Sequence, residues 1–205
     1  IGSVGTVMPD LEVKIGENNE ILLRGKTITT GYYKKPEATA AAIDKDGWFH
    51  TGDAGYLKGN HLYLTERIKD LFKTSNGKYI SPQALETKLS IDRYIDQIAV
   101  IADQRKFVSA LIVPVYGLVK NYAKEKGLEY KDMTDLLQHP KVQALFRARI
   151  DTLQQQFAHY EQVKRFTLLS EPFSMERGEL TNTLKLKRSV VAKNYKELID
   201  KMYEE

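Results

Sequence analysis

The sequence predicts an α+β protein. Three observations lead there: a first third of short apolar runs broken by Gly, Asn and Pro, a helix signal followed by two apolar runs between residues 82 and 115, and helical spacing of apolar residues in the second half.

Residues 4–8, 12–15 and 21–24 read as strands, the last two joined by the polar turn Gly16-Glu17-Asn18-Asn19. Pro36 stands where a helix would start, and residues 37–43 supply alanine-rich propensity with Glu37 in the first turn, before Asp46-Gly47 ends it. Trp48-Phe49-His50 follows. Gly59-Asn60 splits two alternating runs, Gly55-Tyr56-Leu57-Lys58 and His61-Leu62-Tyr63-Leu64-Thr65, and so predicts a hairpin; Asn76-Gly77 is the pair favoured in a tight two-residue hairpin turn.

Ser81-Pro82 reads as an N-cap and first helical position, opening a helix through about residue 89. Residues 98–102 and 108–115 read as strands linked by Asp103-Gln104-Arg105-Lys106, a pair that leaves one face to cover. Residues 116–162 look helical, with Pro140 separating two helices. Phe146, Ile150, Leu153, Phe157 and Tyr160 recur at spacings of 4, 3, 4 and 3, one apolar stripe that reads as packing within the domain. Residues 163–169 predict a strand ended by Glu171-Pro172, residues 173–180 a polar loop, and residues 187–203 a helix with Val191, Tyr195, Leu198, Ile199 and Met202 on one face.

With 205 residues and 42% hydrophobic content, the chain has room for one large core or two small ones. The absence of cysteine excludes disulfides and thiolate metal sites and fits a reducing compartment. His50, His61, His139 and His159 show no ligand spacing, so no structural zinc is expected. No apolar run reaches the roughly 18 residues a membrane-spanning helix needs. The start at Ile1, without methionine or a signal pattern, reads as part of a longer protein. Charge is uneven: residues 1–64 carry seven Lys and Arg against eight Asp and Glu, and the remainder 24 against 19, which would suit a phosphate-rich partner or an anionic surface for the second half, although most of these charges read as a solvated lysine-rich helix surface.

The chemistry concentrates in residues 50–79. A carboxylate such as Asp53 at a strand-end turn can accept from two adjacent ribose hydroxyls, and a guanidinium such as Arg67 offers a fork of donors to the same sugar or to phosphate. Each has a plainer reading: an Asx-turn aspartate bonded to its own backbone, and a surface ion pair of Arg67 with Glu66 or Asp70.

Thr51-Gly52-Asp53, Glu66-Arg67-Ile68-Lys69-Asp70-Leu71-Phe72-Lys73 and Asn76-Gly77-Lys78-Tyr79-Ile80-Ser81-Pro82 resemble the carboxyl-terminal motifs of the adenylate-forming enzymes, nearest their long-chain fatty acyl-CoA synthetase branch. Gly2-Ser3-Val4-Gly5, Glu20-Ile21-Leu22-Leu23-Arg24-Gly25, Gly31-Tyr32-Tyr33-Lys34-Lys35-Pro36-Glu37-Ala38-Thr39 and Leu180-Thr181-Asn182-Thr183-Leu184-Lys185-Leu186-Lys187-Arg188 extend the likeness in the family's order across nearly the whole chain.

The resemblance implies that residues 1–66 end a large β-rich adenylation domain. Residues 67–205 would then be its small mobile carboxyl-terminal α+β domain, hinged near Lys69, with residues 116–162 as the branch's helical insertion. It implies the joining of a fatty acid to coenzyme A at the expense of ATP, through an acyl-adenylate. Lys185 becomes the catalytic lysine that balances charge at the α-phosphate; Asp53 and Arg67 hold the ribose and phosphate, with Lys69 and Lys73 adding charge; Gly77 lets the coenzyme A arm pass. Asn182 departs from the proline usual in this branch, which bears on loop shape. The magnesium-binding acid and the acyl pocket would lie upstream of Ile1, so the fragment alone is expected to be inactive. A cytoplasmic setting, with peripheral membrane association compatible with a lipid substrate, completes the expectation.

Two other readings remain: an adenylating enzyme that passes an acyl or aryl group to a carrier protein, and a non-catalytic basic module for nucleic acid or an anionic surface. Nucleic acid is not expected as a partner, because no aromatic residues interleave with the basic ones in a recognisable binding motif.

Overall fold

The computed structural model describes residues 2–204, apart from the side chains of Glu66 and Lys69. The chain forms two compact units, residues 1–71 and 72–205.

The first unit is a five-stranded antiparallel sheet built from β1 (Gly5–Thr6), β2 (Leu11–Ile15), β3 (Glu20–Gly25), β4 (Phe49–Lys58) and β5 (His61–Arg67), in the spatial order β1-β5-β4-β3-β2. Helix α1 (Pro36–Ala42) has its proline in the first turn, as the sequence predicts. Gly59-Asn60 does turn a hairpin, with Gly59 at φ 60° and Lys58 opposite His61. The strand before it is longer than its alternating run suggests: β4 begins at Phe49, so Asp53 lies inside a strand and not at a strand-end turn.

In the second unit β6 (Phe72–Lys73) and β7 (Tyr79–Ile80) form a small hairpin. Its loop is not the two-residue turn predicted at Asn76-Gly77. Gly77 N–H donates to Thr74 O (2.9 Å) and Thr74 N–H to Lys78 O (2.9 Å), so the loop runs from Thr74 to Lys78 with Gly77 in the left-handed region at φ 75°. Asn76 has no positive φ, and both primed turn types need that conformation at the first central residue.

Helix α2 (Pro82–Leu89) starts as expected, with Ser81 Oγ accepting from Ala84 N–H at 3.2 Å. A three-stranded sheet follows, ordered β10 (Val163–Leu168), β9 (Val108–Pro114), β8 (Ile95–Ile101). β8 and β9 are antiparallel, whereas β9 and β10 are parallel, a pairing that requires a long crossover. Helices α3 (Tyr116–Glu125), α4 (Met133–Gln138) and α5 (Pro140–Leu153) supply it.

Every residue of β9 is buried, because the sheet is covered on both faces. Ala110 and Ile112 join Leu85, Leu89, Phe146 and Ile150 in one apolar cluster, while the alternate residues Leu111 and Val113 join Phe173, Val191 and Ile199 in another. The expected single open face is therefore closed twice.

Three local expectations are corrected. The apolar stripe packs within the domain as far as Phe157, but its helix ends at Leu153, where the buried Gln154 turns its amide onto the backbone of Val163, accepting from its N–H (2.8 Å) and donating to its carbonyl (3.4 Å). Phe157 and Tyr160 lie beyond the helix. The last helix is two, α6 (Arg188–Asn194) and α7 (Lys196–Lys201), broken at Tyr195. The loop at 173–180, read as polar, buries Phe173, Glu179 and Leu180.

Among the described residues no helix is long and apolar enough to cross a membrane.

Candidate functional site

Asp53 and Arg67, 14 positions apart, face each other as register partners on β4 and β5, with Arg67 Nε 3.0 Å from Asp53 Oδ1. Two irregularities aim them. Between the pairs Glu20↔Ala54 and Leu22↔His50, β4 carries extra residues, and between Ala54↔Glu66 and Gly55↔Leu64 the extra residue is on β5. Bulges of this kind twist a strand and redirect side chains.

Side chains satisfy the bulged backbone. Thr51 Oγ donates to Ile21 O at 2.7 Å and accepts from Asp53 N–H at 3.1 Å; Gly52 N–H donates to Glu20 Oε1 at 3.0 Å. Gly52 sits at φ 70°, a conformation that costs any other residue about 1 kcal/mol or more. The second Glu20 oxygen lies 2.8 Å from His50 Nδ1, and Asp44 Oδ2 is 3.8 Å from His50 Nε2. The N–H of Trp48, and secondarily that of Asp46, holds the Asp44 carboxyl below its ordinary pKa. Glu20 is thus a functional neighbour that sequence reasoning missed: it lies 30 and 32 positions from the groups it bonds.

Arg67 is more than half exposed and Asp53 about a quarter, so their pairing contributes roughly 0–1 kcal/mol to stability. The polar atoms are held in place, not consumed. Lys69 lies in a single 3₁₀ turn (Ile68–Asp70), and its side chain is outside the described residues.

The remaining candidates belong to the second unit. Lys73 and Gly77 share the β6–β7 hairpin, with Lys73 Nζ 5.7 Å over the Tyr79 ring. A Cβ built on Gly77 would meet nothing within 4 Å, so its tip is open.

Lys185 is exposed on a tight loop closed at both ends. Leu180 bridges Leu186, Thr181 N–H donates to Lys185 O (2.8 Å), Lys185 N–H donates to Thr181 Oγ (3.0 Å), and Lys187 N–H donates to Glu179 O (2.8 Å). Leu184 is left-handed at φ 59°, which kinks the chain just before the lysine. The hydroxyls of Thr181 and Thr183, 3.0 Å apart, brace the loop where Asn182 stands between them.

The base of this loop is polar and buried. Glu179 accepts from Ser174 N–H (2.9 Å), Arg177 Nε (3.1 Å) and Asn194 Nδ2 (3.2 Å). Burial alone would raise its pKa, but these bonds outweigh it and hold the carboxyl below the ordinary value. On the other side Arg188 makes a two-pronged contact to Glu86 at 2.7 and 2.6 Å, and Glu86 Oε1 also accepts from Val100 N–H at 2.8 Å on the edge of β8. A cleft of about 270 Å³ separates the two candidate loops, lined by Phe72 beside Lys73, Leu186 beside Lys185, Arg188 and the end of β8.

The carboxylate and guanidinium of the first unit suit a sugar or phosphate group, and, taken by itself, the exposed ammonium on the braced loop of the second suits an anion. Residues 69–205 match the family model described as the AMP-binding enzyme C-terminal domain. The chain belongs to this family.

Its relatives among AMP-binding enzymes extend over the first unit as well. The peroxisomal long chain acyl-CoA synthetase 6 of Arabidopsis thaliana is 34% identical over all of this chain and 32% of its own length. Long-chain-fatty-acid–CoA ligase 5 of Rattus norvegicus is 35% identical over 93% of this chain and 28% of its own length. Among solved structures, the A domain of a carboxylic acid reductase from Segniliparus rugosus, in complex with AMP and a co-purified carboxylic acid, aligns with a TM-score of 0.66 and 26% identity over 90% of this chain and 28% of that one. The chain spans about a third of the length of the curated relatives it matches.

Proposed function

We propose that this chain is the carboxyl-terminal part of a long-chain fatty acid–CoA ligase that forms acyl-adenylate from a fatty acid and ATP and then passes the acyl group to coenzyme A. The observation that carries the reading is the Asp53–Arg67 register pair beside the bulges of β4 and β5. It puts a two-oxygen acceptor beside a rigid donor fork on a scaffold held by Glu20 and Thr51.

In this reading Asp53 accepts from the ribose hydroxyls and Arg67 braces the ribose or a phosphate. Lys185 brings a compact cation to the carboxylate and α-phosphate oxygens, and such a preorganised donor contributes on the order of 10²- to 10³-fold in rate. Lys69 marks the hinge between residues 1–66 and 67–205, Lys73 adds charge near phosphate, and the open backbone at Gly77 lets the coenzyme A arm pass. Among the described residues no group of three or more His, Cys, Asp or Glu side chains is placed to hold a metal; magnesium accompanying ATP is held by phosphate oxygens with one or two carboxylates, and in this reading those come mostly from the rest of the protein. A cytoplasmic location with peripheral membrane contact belongs to the same proposal, and the relative named as peroxisomal keeps an organelle within its range.

The test uses the full-length protein. Lys185→Ala should lower fatty-acid-dependent ATP–pyrophosphate exchange by about 10²- to 10³-fold. Unchanged exchange would remove Lys185 from the chemistry. Transfer to a carrier protein is the second reading, favoured by the likeness to an A-PCP didomain of a carboxylic acid reductase. Thioester formed on a carrier but not on coenzyme A would select it.

A further inference from the structure

We propose that Tyr203 and Arg105 form a latch that positions the hairpin carrying Lys73 and Gly77, and so act as positioning residues for the coenzyme A step. The inference rests on the role given to Gly77 above and adds residues that no motif of the chain marks.

The latch begins at the connection between β8 and β9, residues 102–107. Tyr203 OH lies 3.2 Å from Ile101 O and 2.9 Å from Phe107 O, the two carbonyls at the mouth of this connection, and 2.8 Å from Ser109 Oγ. A phenol has one proton to donate. The two carbonyls share it, and the buried Ser109 hydroxyl donates to the phenol oxygen. The ring stacks tilted on Phe107 with centroids 4.6 Å apart, and the Arg105 guanidinium covers it at 4.9 Å.

Arg105 then ties the connection to α7 through Asp200 Oδ1 at 2.7 Å. Arg165 holds the same stretch by donating to Met202 O (2.9 Å) and Glu204 O (2.6 Å). These carbonyls lie just past the end of α7 and flank Tyr203, so Arg165 pins the segment that carries the phenol.

The other side of the connection docks the hairpin. Gln104 N–H donates to Lys73 O (2.8 Å), Ser75 N–H to Arg105 O (3.0 Å), Lys73 N–H to Asp103 Oδ1 (3.4 Å) and Asn76 Nδ2 to Lys106 O (3.5 Å). Arg105 thus contributes its carbonyl to the hairpin and its side chain to the latch. Gln104 is left-handed at φ 55°, a conformation that needs surrounding bonds to persist. Release of the Tyr203 hydroxyl frees the mouth of the connection, and the hairpin loses the fixed rim that sets where Gly77 points.

Tyr203→Phe in the full-length protein keeps the ring and removes the staple; Arg105→Gln is a second variant that keeps the backbone bonds. The proposal expects amide hydrogen exchange in residues 72–80 to rise at least tenfold in Tyr203→Phe. It also expects the KM for coenzyme A to rise about five- to tenfold while ATP–pyrophosphate exchange changes less than twofold, because Lys73 supplies only a point charge on a flexible stem that tolerates a mobile backbone, whereas passage of the coenzyme A arm depends on the backbone at Gly77. Unchanged exchange at 72–80 would overturn it, as would parallel loss of both half-reactions, which would mark a merely structural role. A mobile hairpin with an unaltered KM for coenzyme A would likewise refute positioning. If the unmutated full-length protein makes no coenzyme A thioester, the ligase reading fails, and the hydrogen-exchange result then decides the latch separately.

Discussion

Glu179 shows how much a single buried side chain can govern. It is fully buried and accepts from a guanidinium, a backbone amide and a side-chain amide, while its own carbonyl anchors Lys187 at the end of the Lys185 loop. Glu179→Gln keeps the shape and loses the charge-assisted bonds, so stability should fall by about 1–3 kcal/mol in urea unfolding. Its depressed folded pKa also fixes a sign. The stabilisation is complete above the unfolded carboxyl value near 4.5 and is lost as pH falls through the lower folded value. The unmutated chain should therefore lose stability below about pH 4.5 more steeply than Glu179→Gln does. Nothing in the string Arg177-Gly178-Glu179 distinguishes a buried acid from a solvated one, and the loop was read as polar for that reason. Asp53 and Arg67 were legible as candidates because their residue types match the chemistry, and Lys185 only through its position in the resembled motif; that the first two make direct contact was not.

At the scale of elements, chemistry confined to a few adjacent residues was read well. Ser81 caps α2 and Pro82 occupies its first turn. Ser81→Ala should cost about 0.5–2 kcal/mol in thermal or denaturant unfolding, since one amide at the start of α2 loses its acceptor. Where an element's end depends on a distant partner, the reading failed. Gln154 ends α5 by bonding Val163 across nine positions, and Tyr195 divides the last helix while its ring packs edge-on against Phe173. The edge strand β8 is likewise finished by a side chain: Glu86 accepts from Val100 N–H at 2.8 Å. Edge amides occupied in this way are poor templates for pairing with another chain.

For the whole molecule, the second unit holds both apolar clusters built around β8, β9 and β10. A segment comprising residues 72–205 should therefore fold by itself and melt in one cooperative transition by circular dichroism; a broad, non-cooperative melt would show that it borrows stability from elsewhere. The 205-residue chain alone should release no pyrophosphate from ATP in the presence of a fatty acid, because it spans about a third of the length of the relatives it matches and, on the proposed reading, the acyl pocket belongs to the rest. Pyrophosphate release above the level of a Lys185→Ala control would contradict that expectation.

The order of motifs, the α+β class, the Gly59-Asn60 hairpin and the cap of α2 were determined by the sequence itself, because each depends on residues adjacent in the chain or on strings the family shares. Which charges meet was decided only in three dimensions. Asp53 meets Arg67 because strand register and two bulges place them opposite, and Glu86 meets Arg188 across 102 positions because α2 and the start of α6 both approach the edge of β8. An ion pair is too weak to choose its own partner from the surrounding acids and bases. Burial of the apolar faces sets the register, and the charges take the neighbours that this leaves them.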